Sequence, residues 1–310
     1  MVLFEGSLWC FSTCKSAVTT YSIMSIADVI VPGKEGQVVL IGFPFDEADV
    51  RSGAKPGASG GPAAVRKQLA TRLNGAMSMY TGELQPFKHS ISDAGDISGA
   101  NYEDAKKNLQ ALVKELLANN AVPIVIGGSA DVLEPVANAL NEHTKNTLVL
   151  SVSPKLGLSG KDGNANFLAS TVSREGPVSM IICYDDDATL PDELGRAKSQ
   201  SIQKYGRSEL SGEDVGGLFR AGREMPGVVG FDMASYPECP GATQPALVGL
   251  SVEQALKHAE RAGQANLRAM TIGGFNPAIE EDRTARIVAT MIRRFLVSLP
   301  APGQGGNDSD

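Results

Sequence analysis

The chain has 310 residues, 42% hydrophobic and 20% charged, enough for one large or two ordinary domains with a real core. Its 28 basic against 35 acidic residues give a net charge of −7, which argues against a nucleic-acid binder that works by neutralising phosphates. There are only 3 His, so a site built on several imidazoles would have to use nearly all of His89, His143 and His258.

Residues 1–30 read as an N-terminal extension. The opening MVLFEGSLWCFSTCKSA has no cationic stretch before its apolar residues and carries Glu5 among them, unlike a secretory signal. Apolar runs such as VVLIGFPF are far shorter than the roughly 20 residues of a membrane span. A cytoplasmic protein with no membrane or nucleic-acid partner is expected, with reduced thiols. Cys10 and Cys14 are four apart, on one face if that stretch is helical; they are either free thiols or a disulfide link between subunits. Cys183 reads as a core residue.

From Gln37 onward, short Val- and Ile-rich runs alternate with amphipathic stretches, the pattern of βα units around a parallel sheet buried on both faces. Strands are predicted near Gln37–Gly42, His89–Asp93, Val122–Ile126, Thr147–Val152, Val178–Tyr184, Ser201–Tyr205, Val228–Asp232 and Leu267–Ile272. Pro62 after Gly60 and Gly61 fits the first turn of a helix. Leu109, Leu112, Val113, Leu116 and Leu117, and later Val288, Met291, Ile292, Phe295 and Leu296, follow the i, i+3, i+4, i+7, i+8 spacing of core-facing helices. The expected architecture is a single three-layer α/β/α domain over residues 31–298 with a mostly parallel sheet of about eight strands. The LPAPGQGGNDSD end makes 299–310 a disordered tail.

In such sheets ligands bind beyond the carboxyl ends of the strands. The segments there are IGFPFDEADVRSGAKPGASGGPAAVRKQL from Ile41, DAGDI from Asp93, PIVIGGSADV from Pro123, LVLSVSPKLGL from Leu148, VVGFDMASYPECPGATQPA from Val228 and GGFNPAIEEDRTARIVATMIRRFL from Gly273. In this order they resemble the arginase, agmatinase and formiminoglutamase family, the ureohydrolases, over about 250 residues; PGATQPA and NP…DRTAR are most similar to the formiminoglutamase branch. The resemblance implies the arginase-like fold, trimers or hexamers, and two Mn²⁺ ions at the strand ends. Metal-activated hydroxide there would hydrolyse linear amidines or guanidiniums, since a bound divalent ion lowers the pKa of water from 15.7 towards about 7.

The resemblance also implies six ligands, and this chain departs from most of them. GGDH has become Gly127-Gly128-Ser129-Ala130, so Ala130 stands for histidine. DAHxD has become Ser151-Val152-Ser153-Pro154-Lys155, and DxD has become Asp232-Met233-Ala234. Only Asp232 matches a ligand. The glutamate that holds guanidinium in E-x-N-P falls at Gly274, and the histidine of the arginase GNxHG loop at Asn166 of GNANF. In the family four Asp balance two Mn²⁺; in this chain Asp232 faces Lys155, again neutral. Lys155 is therefore expected to take the place of the cations and to bond Asp232 directly or through water, the alternative being an ordinary exposed loop lysine.

His89, His143 and His258 lie outside these motifs and read as structural or surface residues, with His258 on a solvated face. Asp185, Asp186 and Asp187 follow a strand, but consecutive acids point in different directions. Cys239 in the loop after Asp232 would need a lowered pKa to act as a nucleophile. The expected function is a ureohydrolase-fold protein with no bound cofactor or metal, inactive on arginine, agmatine and formiminoglutamate, and retaining a binding or assembly role. The alternatives are a C–N hydrolase using other ligands, and a sensor of a small guanidino or amino-acid ligand.

Overall fold

The computed structural model describes residues 25–72, 75–144, 147–158, 178–183, 191–199, 202–206, 219, 225–265 and 267–302. Its strands are β1 (Ile30–Pro32), β2 (Val38–Phe43), β3 (Ala76–Met77), β4 (Leu84–Gln85), β5 (Ile91–Asp96), β6 (Val122–Gly127), β7 (Leu148–Ser153), β8 (Val178–Cys183), β9 (Gln203–Tyr205), β10 (Gly227–Asp232) and β11 (Ala269–Gly273). Nine of them form one sheet in the order β1-β5-β2-β6-β11-β10-β7-β8-β9, and every neighbouring pair runs parallel. β3 and β4 form a separate antiparallel hairpin.

The helices are α1 (Glu47–Arg51), α2 (Gly61–Ala70), α3 (Tyr102–Ala118), α4 (Leu133–His143), α5 (Pro191–Ser199), α6 (Val252–Gln264) and α7 (Arg283–Ser298). Strand pleating sends alternate residues of β2 to opposite layers. Val38 and Leu40 pack with residues of α2, α6 and α7, while Val39 and Ile41 pack with residues of α3 and α4. The result is the expected three-layer α/β/α arrangement. Both leucine-rich stripes face the core, except that Leu112 is only partly buried. Pro62 falls in the first turn of α2. Side-chain caps fix two helix starts: Asn101 accepts from the Asp104 amide at α3, and Ser251 and Gln254 form a capping box at α6.

The expectation of about eight strands holds, with nine among the described residues, and β1 is an edge strand that the pattern did not indicate. Several other expectations are corrected. The run predicted at His89–Asp93 pairs instead over Ile91–Asp96, and the one at Leu267–Ile272 over Ala269–Gly273. His89 precedes its strand, with Nε2 at 2.9 Å from the Pro300 carbonyl, and His143 ends α4. His258 is not on a solvated face: it is 2% exposed. Ile26 is buried in the core although it lies within the residues read as an extension. Cys10, Cys14, Asn166 and Asp185–Asp187 lie outside the described residues.

Candidate functional site

The carboxyl ends of β6, β7, β10 and β11 meet at one place, because the parallel sheet points all four the same way and seats β11 between β6 and β10. Residues leaving these strands form the walls of a small cavity: Ala130 after β6, Ser153 and Lys155 at β7, Asp232 and Ala234 at β10. Asp49 of α1 and Gln244 of the loop after β10 complete it. The space open to the centre of a water is about 10 Å³, room for about one molecule.

Asp232 holds the centre. Its Oδ1 accepts from the Ala234 amide at 2.9 Å and its Oδ2 from the Ser153 hydroxyl at 3.1 Å. Burial pushes its pKa up to about 6, against the opposing pull of the Ala234 N–H, the Lys155 charge and the Ser153 hydroxyl. Lys155 is half-buried and donates from Nζ to Gln244 Oε1 at 2.6 Å. Gln244 in turn donates to the Ser52 carbonyl at 2.6 Å. Gln244 thus ties the β10 loop to the exit of β7 through Lys155 and to the turn after α1 through Ser52. Of the expected bond to Asp232, directly or through water, the direct form is absent: glutamine's neutral carbonyl takes one N–H of the ammonium, and Asp232 feels it as a nearby charge.

Ser129 is fully buried, and its hydroxyl accepts from the Asp49 amide at 3.2 Å. Ser151 is buried within β7, does not line the cavity, and pairs with Gly230 of β10. Beside Ala130, Asp131 accepts a bond from the Tyr102 hydroxyl. Cys239 is buried and its thiol is pushed up to about 12, first by burial and then by Glu280; it is not activated. Gln244, Asp49 and Ser52 lie in the segments that leave the strands but carry no motif that singles them out in the sequence.

Gly274 follows β11 with φ +77, where a side chain is strained. A Cβ there would also overlap Asp232 Oδ1. Gly274→Ala is expected to lower stability by about 1–3 kcal/mol, read as a fall in the denaturation midpoint; an unchanged midpoint would mean that Asp232 gives way at no cost.

Among the described residues, no three His, Cys, Asp or Glu side chains group so that they could hold a metal ion. No helix there is long and apolar enough to cross a membrane.

The strand-end site and the sheet order define an α/β protein with the arginase fold, as its structural neighbours show, and residues 36–155 match the model of the Arginase family. Its relatives include formimidoylglutamases of Paraburkholderia xenovorans, 25% identical over 290 residues (83% of this chain, 87% of the relative), and of Aromatoleum aromaticum, 22% identical over 303 residues (86% and 84%). Trypanosoma cruzi formiminoglutamase with Mn²⁺ superposes with a TM-score of 0.80 at 23% identity, covering 90% of this chain and all of that one. The agmatine ureohydrolase of Thermoplasma volcanium gives 0.73 at 16% identity, over 90% and 95%.

Proposed function

We propose that this chain is a formiminoglutamase-like member of the arginase fold that has given up the binuclear manganese centre, does not hydrolyse arginine, agmatine or formiminoglutamate, and serves in binding or assembly. The observation that carries this reading is the Lys155 ammonium, clamped by Gln244 in the wall of the strand-end cavity beside Asp232. Manganese takes hard, anionic or imidazole donors. Here the described walls offer the carboxylates of Asp49 and Asp232, neutral groups, and one fixed cation that repels another. Those side chains do not fit a two-metal ligand set. Ala130, Ser151, Ser153, Lys155 and Ala234 would stand where the resemblance implies ligands. A glutamate at Gly274, the counterpart of the guanidinium-holding residue, would drive its Cβ into Asp232.

A cavity with room for one water also supports loss of substrate binding in this closed form. A guanidino or amino-acid ligand would enter only if Gln244 swung off Ser52 and Lys155. The competing reading, a C–N hydrolase with other ligands, would draw on Asp49 and Asp232. The protein purified after Mn²⁺ loading and dialysis is expected to retain no stoichiometric manganese and to release neither urea nor formamide. About two ions per chain together with turnover would overturn the proposal. A cytoplasmic trimer or hexamer accompanies this reading, to be measured by light scattering; a disulfide through Cys10 or Cys14 would show on non-reducing gels and vanish in Cys10→Ala/Cys14→Ala.

A further inference from the structure

A second pocket, of about 320 Å³, lies between α2 and strands β1, β2 and β5, and shares no lining residue with the strand-end cavity. Its body is apolar, built from Ile30 of β1, Leu40 of β2, and Leu69 and Ala70 of α2; its polar wall is Arg66 and Asp93. The size is at the lower end of small-molecule sites, and the mixture of an apolar body with a few converging polar groups is what such sites have.

The polar wall is rigid. Arg66 forks onto Asp93, with Nε to Oδ2 at 2.7 Å and Nη2 to Oδ1 at 2.9 Å, and its Nη1 reaches Asp96 Oδ1 at 2.5 Å. Gly42 on β2 leaves the space for this, since a Cβ there would overlap Asp96. One guanidinium between two carboxylates leaves the triad at −1. Asp93 Oδ1 also accepts the Gly95 amide at 2.8 Å, so three bonds fall on a carboxylate with about four acceptor directions. The fourth, on Oδ2, is open, and the Asp93 side chain is 20% exposed. The wall itself, Arg66 and Asp93, is neutral; Asp96, bonded to Arg66 outside the lining, brings the triad to −1 and disfavours an anion. A cation would meet an acceptor and the unbalanced charge, with its apolar part against Ile30, Leu40 and Leu69.

We propose that this pocket is a second binding site, for a compact apolar molecule bearing a single protonated amine or amidine, which docks on the Asp93 carboxylate where Arg66 holds it. Direct attraction to Asp93 and burial of apolar surface act together, so neither a neutral isostere nor a carboxylate should substitute. The probe is benzamidine, titrated into the full chain by ligand-observed NMR, with benzyl alcohol and benzoate as comparisons. Saturable binding of benzamidine is expected, at least about tenfold tighter than either comparison, about 1.4 kcal/mol.

Asp93→Asn should remove that preference. Because it also loosens the Arg66 fork, Ala70→Trp provides an independent variant that fills the pocket and leaves the triad intact; it should abolish binding, while Asp232→Asn, in the other cavity, should leave binding unchanged. The proposal is overturned if benzamidine does not saturate the full chain, if Ala70→Trp binds as well as wild type, or if Asp232→Asn abolishes binding. It is equally overturned if binding appears only after residues 1–24 are removed, since the chain itself would then be the occupant.

Discussion

Glu260→Ala is expected to cost about 3–5 kcal/mol, the range for breaking a buried ion pair from one side. Glu260 is 2% exposed and Arg294 8%. The carboxylate takes the Ser78 hydroxyl at 2.7 Å, the Met79 amide at 2.8 Å and Arg294 Nη1 at 3.2 Å. It ties three parts of the chain: the turn of the β3–β4 hairpin, α6 and α7. Its removal leaves the buried Arg294 guanidinium with the Met77 carbonyl but no counter-charge, and takes the acceptor from the Met79 N–H. Glu260→Gln keeps an acceptor for Ser78 and should lose less. Urea denaturation would read this as a lower midpoint at an unchanged slope; a loss under about 1 kcal/mol, typical of an exposed pair, would show that water reaches the cluster.

Acidification should destabilise the protein through His258. The ring is buried in α6, lies 5.9 Å from the Phe219 ring, and leaves Nδ1 without a hydrogen-bond partner. Burial lowers its pKa to about 4 from the usual 6.5. Between those values the unfolded chain holds a proton at this site that the folded chain does not, so stability falls as pH drops through the window. Two and a half pH units correspond to roughly 3 kcal/mol. His258→Phe removes the titrating ring and should flatten this part of the stability–pH profile, whatever its own effect at pH 7. If wild type and variant keep parallel slopes between about pH 4 and 6.5, the imidazole does not titrate as its surroundings imply.

The misreading of His258 has a definite cause. α6 buries Ala255, His258, Ala259, Glu260, Ala262 and Gly263, so its buried face is made of small residues, one imidazole and one paired carboxylate. A pattern search keyed to Leu, Ile and Val passes over it, whereas α3 and α7, with branched and aromatic side chains, are plain from spacing alone. β1 escaped for a related reason: three residues at an edge, with Val31 62% exposed, bury too little to leave a run.

At the strand ends the sequence marked the right segments, because a parallel sheet gathers its carboxyl ends whatever the loops contain. It did not identify the partner of Lys155. Gln244 lies 89 positions away, in a loop with no periodicity, and nothing in the local pattern distinguishes a clamp to glutamine from a bond to Asp232. Charge balance suggested the pair, but hydrogen-bond geometry chose the neutral carbonyl.

The place of β11 bears on how the chain can be made. It is the last of the described strands in chain order, yet it sits at the middle of the sheet and pairs with both β6 and β10. Until about residue 273 has emerged, the two halves of the sheet have no common strand, and each presents a row of unpaired backbone groups next to apolar side chains. A nascent chain that formed the two halves first would carry two open edges, the kind of surface that favours aggregation or chaperone binding. A stop codon or frameshift ahead of β11 would leave two half-sheets with nothing between them, not a shortened domain.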